Sequence, residues 1–195
     1  MNIKKKVGMN HRTITDCHSL RWVIMGVSGC GKSEMGRRLA DCIGVAYVEG
    51  DDDHPAANVT KMAAGIALDD ADRQDWLLIL QARIRAAQQQ GVGLVLSCSA
   101  LKRRYRDLLR QGDPALVFVH LNGDRELIAA RMLARGNHFM PLALLDSQLR
   151  DLEPPAEDEN AVRLDIRRAP EQLIDDITQR CAEFKKSRYN KEIQQ

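Results

Sequence analysis

The sequence predicts a three-layer α/β fold, in which helices cover both faces of a five-stranded parallel sheet. Three observations predict it: five short apolar runs, helical patterns between these runs, and a phosphate-binding motif between the first run and the first helix. A chain that alternates strands with helices builds a parallel sheet, because each crossover helix returns it to the edge where the previous strand began. The 195 residues contain neither an internal repeat nor a linker that would divide them into two domains.

The five apolar runs are the predicted strands. The third run is the most continuous, with no charged residue between Val92 and Cys98, and such a run is typical of a strand covered on both faces. An acidic cluster, Glu49 to Asp53, closes the second run, and an acidic loop that contains proline precedes the fifth. In chain order, the predicted strands cover residues 22–25, 45–48, 92–98, 116–121 and 162–166.

The segments between the strands have helical periodicity. In the first helix, Met35, Leu39 and Ile43 lie four residues apart on one face. Asp69 is a predicted N-cap for a long helix, and Pro170 opens the last helix at a position where proline is tolerated. The predicted helices cover residues 33–43, 59–62, 69–90, 101–110, 124–135 and 141–152, and the segment that begins at residue 170.

Composition and charge exclude several classes of protein. Lys and Arg together number 29 and Asp and Glu 27, so the net charge is only +2, and aromatic residues make up 4%. This balance argues against a general nucleic-acid or membrane-surface binder. No apolar run approaches the ~18–20 residues that cross a bilayer, so we expect no membrane segment. The cysteines at 17, 30, 42, 98 and 181 form no C-x-x-C pair, which predicts reduced thiols and a cytoplasmic protein.

The two ends of the chain differ in character from its middle. The start has three consecutive lysines but no following apolar stretch, so we expect a loosely ordered extension over residues 1–20 rather than a secretory signal. The end is polar, and we expect a frayed tail over residues 185–195. The predicted folded domain is therefore residues 21–184.

The clearest chemical signal lies between the first strand and the first helix. It is a complete G-x-x-x-x-G-K-S motif, Gly26-Val27-Ser28-Gly29-Cys30-Gly31-Lys32-Ser33. Its glycines allow a tight loop whose backbone N–H groups point at phosphate oxygens, and the helix N-terminus adds partial positive charge. We expect Lys32 to reach the β- and γ-phosphates of ATP and the Ser33 hydroxyl to ligate Mg²⁺, with Gly26, Ser28, Gly29, Cys30 and Gly31 completing the cradle.

The acids that follow the second strand favour a small-molecule kinase. The third and fourth strands end without a carboxylate, and no Asn-Lys-x-Asp sequence is present to read guanine. Asp51 is placed to accept the proton of an attacking hydroxyl, and Glu49 to hold the Mg²⁺ shell. A non-catalytic ATP-binding regulatory module remains an alternative, although such a module would not require Asp51.

The sequence around these acids resembles that of the small P-loop gluconokinases, and the resemblance covers residues 21–180. The resemblance lies in Gly50-Asp51-x-x-His54-Pro55-x-x-Asn58-x-x-Lys61-Met62, Gly65-x-x-Leu68-x-Asp70-x-Asp72-Arg73-x-x-Trp76-Leu77 and Cys98-Ser99-Ala100-Leu101-Lys102-x-x-Tyr105-Arg106. It continues through Arg131, Arg135, His138-Phe139 and Leu144-Leu145-x-Ser147-Gln148. It implies transfer of the ATP γ-phosphoryl group to the 6-hydroxyl of D-gluconate. It also implies a sheet ordered 2-3-1-4-5, a substrate-binding segment at about 51–75, a mobile lid at about 135–142 and a homodimer.

Gluconate is a small anion rich in hydroxyls, so its site needs cations and neutral polar groups. The expected substrate-binding residues, in addition to Asp51, are His54, Asn58, Arg73, Ser99, Lys102 and, from the resemblance, His138. Arg131 and Arg135 lie four residues apart on one face of a predicted helix. If the protein is a kinase, we expect them to neutralise charge on the transferred phosphoryl group or to stack on adenine.

Three residues depart from the family pattern. Glu49 stands where Asp is common, Ala67 where proline is usual and Cys30 where serine is common. The alternatives within the fold are a shikimate kinase and a nucleoside monophosphate kinase. A shikimate kinase would have a glycine pair after the third strand, and this chain lacks one. A nucleoside monophosphate kinase would need more arginines than the segment 54–73 contains.

Overall fold

In the computed structural model, which describes residues 17–134, 142–181 and 183–184, the five predicted strands form one parallel sheet. Its strands are β1 (Arg21–Met25), β2 (Ala46–Glu49), β3 (Leu94–Ser97), β4 (Val117–Asn122) and β5 (Ala161–Asp165). Their order is β2-β3-β1-β4-β5, which confirms the expected topology. Strand β1 is central, and its Val23 pairs with Leu96 of β3 on one side and Phe118 of β4 on the other.

Seven α-helices connect the strands within the described residues. They are α1 (Lys32–Ile43), α2 (Ala56–Ala63), α3 (Asp70–Gln89), α4 (Arg103–Arg110), α5 (Arg125–Ala134), α6 (Leu142–Asp151) and α7 (Pro170–Gln179). Asp69 caps α3 as predicted, because its side chain accepts from the Asp72 backbone N–H and the Asp72 side chain accepts from the Asp69 backbone in return. Lys102 has an extended backbone and caps the helix, so α4 begins at Arg103, two residues later than the basic helical pattern at 101–110 predicts.

Two apolar cores lie on opposite faces of the sheet. Trp22 and Ile24 of β1 face the core built with α1, α5 and α7, whereas Val23 and Met25 face the core built with α3 and α4. Because alternate residues of a strand point to opposite faces, a strand buried on both sides must be apolar throughout. The covered faces leave the carboxyl edge of the sheet as the place where polar loops meet.

The structure corrects the prediction that all cysteines are reduced. Cys17 and Cys181 form a buried disulfide with a Cα–Cα distance of 5.3 Å, while Cys30, Cys42 and Cys98 remain thiols. The prediction was wrong for this pair because 164 residues separate its members and no local spacing marks them. Cys17 and Leu20, which we assigned to the N-terminal extension, are also buried in the core beneath α7.

Several expectations fall outside the described residues. The rest of the proposed extension (1–16), residues 135–141 of the proposed lid and the tail at 185–195 belong to this group. Within the part of the chain that is described, no helix is long and apolar enough to cross a bilayer.

Candidate active site

The phosphate-binding motif forms the turn between β1 and α1, at the carboxyl edge of the sheet. Gly26 has a φ of +140°, and a Cβ there would lie 2.9 Å from the Leu121 carbonyl oxygen, so this position requires glycine. Gly31 has a φ of +99° and begins α1 without a side-chain cap. The first N–H groups of α1 therefore point towards the loop, as phosphate binding requires.

Two groups of this loop are held by internal contacts. The Lys32 ammonium donates to the Val27 carbonyl over 3.0 Å, and the Ser28 backbone N–H donates to Oε1 of Gln148 over 2.7 Å. Cys30 is buried, and burial raises the pKa of its thiol, so this cysteine is a small filler of the loop rather than a thiolate.

A pocket lies between the loop, the segment after β2 and helix α6. Six of the predicted site residues line it: Ser28, Lys32, Asp51, His54, Arg73 and Ser99. The pocket also contains two polar residues of α6, Ser147 and Gln148, which are not among the predicted site residues. Their only sequence signal was membership of the family-like motif near residue 147. We call this cavity the acceptor pocket.

His54 is held in the acceptor pocket by an aromatic stack. Its ring lies 4.1 Å from that of Trp76 at an interplanar angle of 15°, and the Trp76 indole N–H donates to the Gly50 carbonyl over 2.6 Å. Burial, together with the positive charge of Arg73, lowers the pKa of His54 to about 4. The imidazole is therefore neutral near pH 7, and among the described residues its buried Nδ1 has no hydrogen-bond partner.

Arg73 is the cation of the acceptor pocket. It is 5% exposed on the first turn of α3, and its guanidinium contacts the Ser99 hydroxyl over 3.4 Å. Its Nε is buried and has no partner among the described residues. A buried guanidinium with an unused donor is a strong site for a carboxylate or phosphate oxygen.

Asp51 lies on the 3₁₀ turn Gly50–Asp53, directly after β2. It lines both the acceptor pocket and the neighbouring phosphate-side pocket, and Ser28 and Lys32 do the same. Burial raises the pKa of the Asp51 carboxyl, and the positive charge of Lys32 opposes that rise. These three residues mark the junction at which a group can pass from one pocket to the other.

Glu49 ends β2 beside the loop, within a network of hydroxyl groups. It accepts from Tyr47 over 2.7 Å, from the Ser97 hydroxyl, and from Ser33. Burial alone would raise the pKa of Glu49, but these hydrogen bonds outweigh it and lower the pKa. Ser33 and Glu49 thus bring two hard oxygen ligands together, which suits Mg²⁺. No cluster of three or more His, Cys, Asp or Glu side chains fit for a metal occurs in the described residues.

A second pocket lies on the other side of the loop and contains Arg131. The Arg131 guanidinium donates to the Ile166 carbonyl over 2.8 Å, and the pocket includes the apolar side chains of Met35 and Leu173. An apolar recess next to a phosphate cradle is suited to a nucleotide base. Arg135 and His138, two other predicted residues, lie outside the described part of the chain.

Two predicted substrate residues lie beside the acceptor pocket rather than in its lining. The Lys102 ammonium contacts carboxylates of Asp70 over 3.1 Å and Asp151 over 3.6 Å. The Asn58 amide donates to the Asp72 carbonyl over 2.6 Å and so joins α2 to the start of α3. Tertiary contacts of this kind have no local sequence signal.

The amino-acid sequence is similar to those of known proteins. A family model described as an AAA domain matches residues 22–155. The thermosensitive gluconokinase of Escherichia coli (strain K12) is 42% identical over 161 residues, which cover 82% of this chain and 84% of that protein. The gluconokinase of Gluconobacter oxydans (strain 621H) is 43% identical over 80% of this chain and 87% of its own length.

Solved structures agree with these relatives. A gluconokinase from Sinorhizobium meliloti 1021 superposes with a TM-score of 0.80 at 38% identity, over 89% of this chain and 98% of that one. An unliganded sugar kinase from Janibacter sp. HTCC2649 superposes with a TM-score of 0.79 at 45% identity, over 82% of this chain and 92% of the other.

Proposed function

This chain belongs to the gluconokinase family, and from that premise we propose how it acts as an ATP-dependent kinase of a sugar acid. It phosphorylates D-gluconate at the 6-hydroxyl and releases 6-phospho-D-gluconate and ADP. The phosphate loop binds ATP, and the acceptor pocket on the other side of the Asp51 junction binds gluconate.

One observation of the chain itself carries the substrate proposal. The acceptor pocket holds two buried polar atoms without partners among the described residues, Nε of Arg73 and Nδ1 of His54. An unsatisfied buried polar group is costly, so such atoms mark where a ligand completes the hydrogen bonding. A cationic donor beside a neutral imidazole matches a carboxylate next to hydroxyl groups, which is the chemistry of gluconate.

The residues that line the two pockets divide the work of phosphoryl transfer. We assign to Asp51 the acceptance of the 6-hydroxyl proton, because its carboxylate stands at the junction. Lys32 exchanges its contact with Val27 for the β- and γ-phosphates. Arg131 is next to the nucleotide recess and is assigned the stabilisation of phosphate charge, together with Arg135 from outside the described residues. His138, also outside them, is assigned to substrate binding.

We propose that Ser33 and Glu49 hold the Mg²⁺ ion that accompanies ATP. Their oxygens are joined by a hydrogen bond at the mouth of the loop, and Glu49 is kept ionised by its neighbours. The ion supplies charge neutralisation to the phosphates when it is bound. Tyr47 and Ser97 support this arrangement by holding the Glu49 carboxylate.

We further propose that the enzyme works in the cytoplasm as a homodimer. The availability of ATP there supports this location, whereas the Cys17–Cys181 disulfide is unusual for that compartment. Two apolar side chains of α3, Leu78 and Ile79, are 42% and 41% exposed, which supports a partner surface on that helix. Light scattering of the purified protein tests the dimer, and a monomer at micromolar concentration would contradict it.

The function is tested by ADP release with a panel of sugar acids. Gluconate should stimulate release far more than its stereoisomers, and chelation of Mg²⁺ should abolish the stimulation. Equal stimulation by all sugar acids, or none by gluconate, would overturn the assignment.

Two variants locate the carboxylate partner within the same assay. We expect Arg73→Gln to raise the KM for gluconate roughly 10- to 100-fold, the value for one or two charge-assisted hydrogen bonds, while the KM for ATP changes little. Lys102→Ala is the matched comparison, since its ammonium is engaged by Asp70 and Asp151. A larger effect from Lys102→Ala would move the carboxylate to that lysine.

A further inference from the structure

The contact between Ser28 and Gln148 joins the phosphate loop to helix α6. The Ser28 backbone N–H donates to Oε1 of Gln148 over 2.7 Å, across 120 residues of sequence. Gln148 and its neighbour Ser147 both line the acceptor pocket. One side chain therefore connects the ATP side of the site with the acceptor side.

The position of this hydrogen bond indicates what the Gln148 oxygen replaces. Backbone N–H groups of such a loop serve phosphate oxygens. Ser28 is one of the residues that line both pockets, together with Lys32 and Asp51. Its N–H therefore lies at the junction where the transferred phosphoryl group must pass. A phosphoryl oxygen that accepted from this N–H would take the place of the Gln148 amide oxygen.

A γ-phosphate oxygen on the Ser28 N–H and the contact with Gln148 would exclude each other. One N–H group cannot make a short, linear hydrogen bond to two oxygens at once. When the γ-phosphate takes the Ser28 N–H, the Gln148 amide must leave it, and the acceptor pocket is the space that Gln148 already lines. A glutamine amide carries both a donor and an acceptor, so it can bind hydroxyl groups of the substrate there.

We propose that Gln148 is a positioning residue that couples the γ-phosphate to the acceptor substrate, by exchanging its hydrogen bond to Ser28 for one to gluconate when ATP binds. The proposal rests on the function assigned above. Since coupling between two ligands is reciprocal, gluconate then strengthens the binding of ATP by the same factor as ATP strengthens the binding of gluconate.

The test measures nucleotide binding to the full chain by calorimetry, with a non-hydrolysable ATP analogue and with ADP. Without gluconate, Gln148→Ala should bind the analogue roughly 2- to 10-fold more tightly, the value of one released hydrogen bond, because no side chain then competes for Ser28. The affinity for ADP, which lacks the γ-phosphate, should change by less than about 2-fold. Gluconate should strengthen analogue binding in the wild type but no longer in Gln148→Ala.

A second variant and a control make the outcome decisive. Gln148→Glu places a carboxylate that accepts from Ser28 and repels the γ-phosphate. This variant should weaken the binding of the analogue by about 10-fold or more and the binding of ADP much less. Arg150→Ala, an exposed position on the same helix, should leave both affinities unchanged. Weaker analogue binding in Gln148→Ala, or equal changes for analogue and ADP, would overturn the proposal.

These results separate the inference from the proposed function. The nucleotide-binding measurements without gluconate report on the role of Gln148 alone, because they do not depend on which molecule is the phosphoryl acceptor. Gluconate-stimulated ADP release by the wild type reports on the function. Normal ADP release with an unaltered affinity of Gln148→Ala for the analogue would reject the coupling and retain the kinase.

Discussion

At the scale of single residues, burial shifts two pKa values in opposite directions within one pocket. It raises the pKa of Asp51 and lowers that of His54 to about 4, because both charged forms are deprived of water. A raised carboxyl pKa makes Asp51 a better proton acceptor than an exposed aspartate. A lowered imidazole pKa keeps His54 neutral, so that it can accept or donate a hydrogen bond without repelling Arg73.

Replacing the proposed base tests this arrangement. We expect Asp51→Asn to lower kcat by ~10²- to 10⁴-fold while the affinity for a non-hydrolysable ATP analogue stays nearly unchanged. In the wild type the carboxylate must be ionised, so kcat should fall as the pH falls through the raised pKa of Asp51, above the ordinary value of 3.8. Steady-state kinetics between pH 4 and pH 8 check both points. Wild-type turnover by Asp51→Asn would remove it as the base.

The residues of the candidate site differ in how far the sequence marks them. The motif around Lys32 and the acids at 49 and 51 were predictable because each lies within a few residues of a strand end. Gln148 has no such mark, since its importance comes from a contact with Ser28 across 120 residues. The position of Lys102 after β3 predicts a substrate contact, and the carboxylates of Asp70 and Asp151, which lie next to it, have no local sequence signal.

At the scale of elements, a buried ion pair fastens α4 to the loop before β5. The Arg106 guanidinium, fully buried, makes two hydrogen bonds to Glu159, of 2.6 and 2.8 Å, and Arg110 adds a third. Arg106 also donates to the carbonyls of Ala100 and Leu101, directly after Ser99 of the acceptor pocket. Burial works against the ionised form of Glu159, but the two arginines outweigh it and lower its pKa to about 2.

We expect Glu159→Gln to lower the free energy of unfolding by about 3 to 5 kcal/mol, because it leaves a buried guanidinium uncompensated. The exposed pair of Asp158 with Arg103 gives a control one residue away, and Asp158→Asn should cost no more than about 1 kcal/mol. Urea denaturation measures both. The stabilisation by Glu159 should be present above its ordinary pKa of 4.5 and be lost as the pH falls towards 2. Equal costs for the two variants would contradict this account.

The helices and strands themselves were largely predictable from the periodicity of the sequence. The contacts that join one element to another were not. The basic pattern at 101–110 correctly indicated a helix, but it carries no information that Arg106 pairs with a residue 53 positions away. The strand order had no local signal either, and it was expected only through the family resemblance.

At the scale of the whole molecule, the Cys17–Cys181 disulfide closes almost the entire described chain into a loop. A crosslink across 164 residues removes many conformations from the unfolded chain. We expect reduction by dithiothreitol to lower the free energy of unfolding by about 3 to 5 kcal/mol. Cys17→Ser should show the same loss in urea denaturation and no further response to reductant. A wild-type protein indifferent to reductant would show that the bond adds no stability.

The same bond also brings the two ends of the folded domain together. Cys17 and Cys181 are 5.3 Å apart. Backbone hydrogen bonds from Leu20 to Cys17 and from Leu94 to Leu20 tie this pair to the starts of β1 and β3, at the edge of the sheet opposite the active site. A short peptide can span that gap, and the turn at Gln90 and Gly91 is exposed. The chain is therefore suited to circular permutation, with joined ends and new termini at that turn, both remote from the phosphate loop.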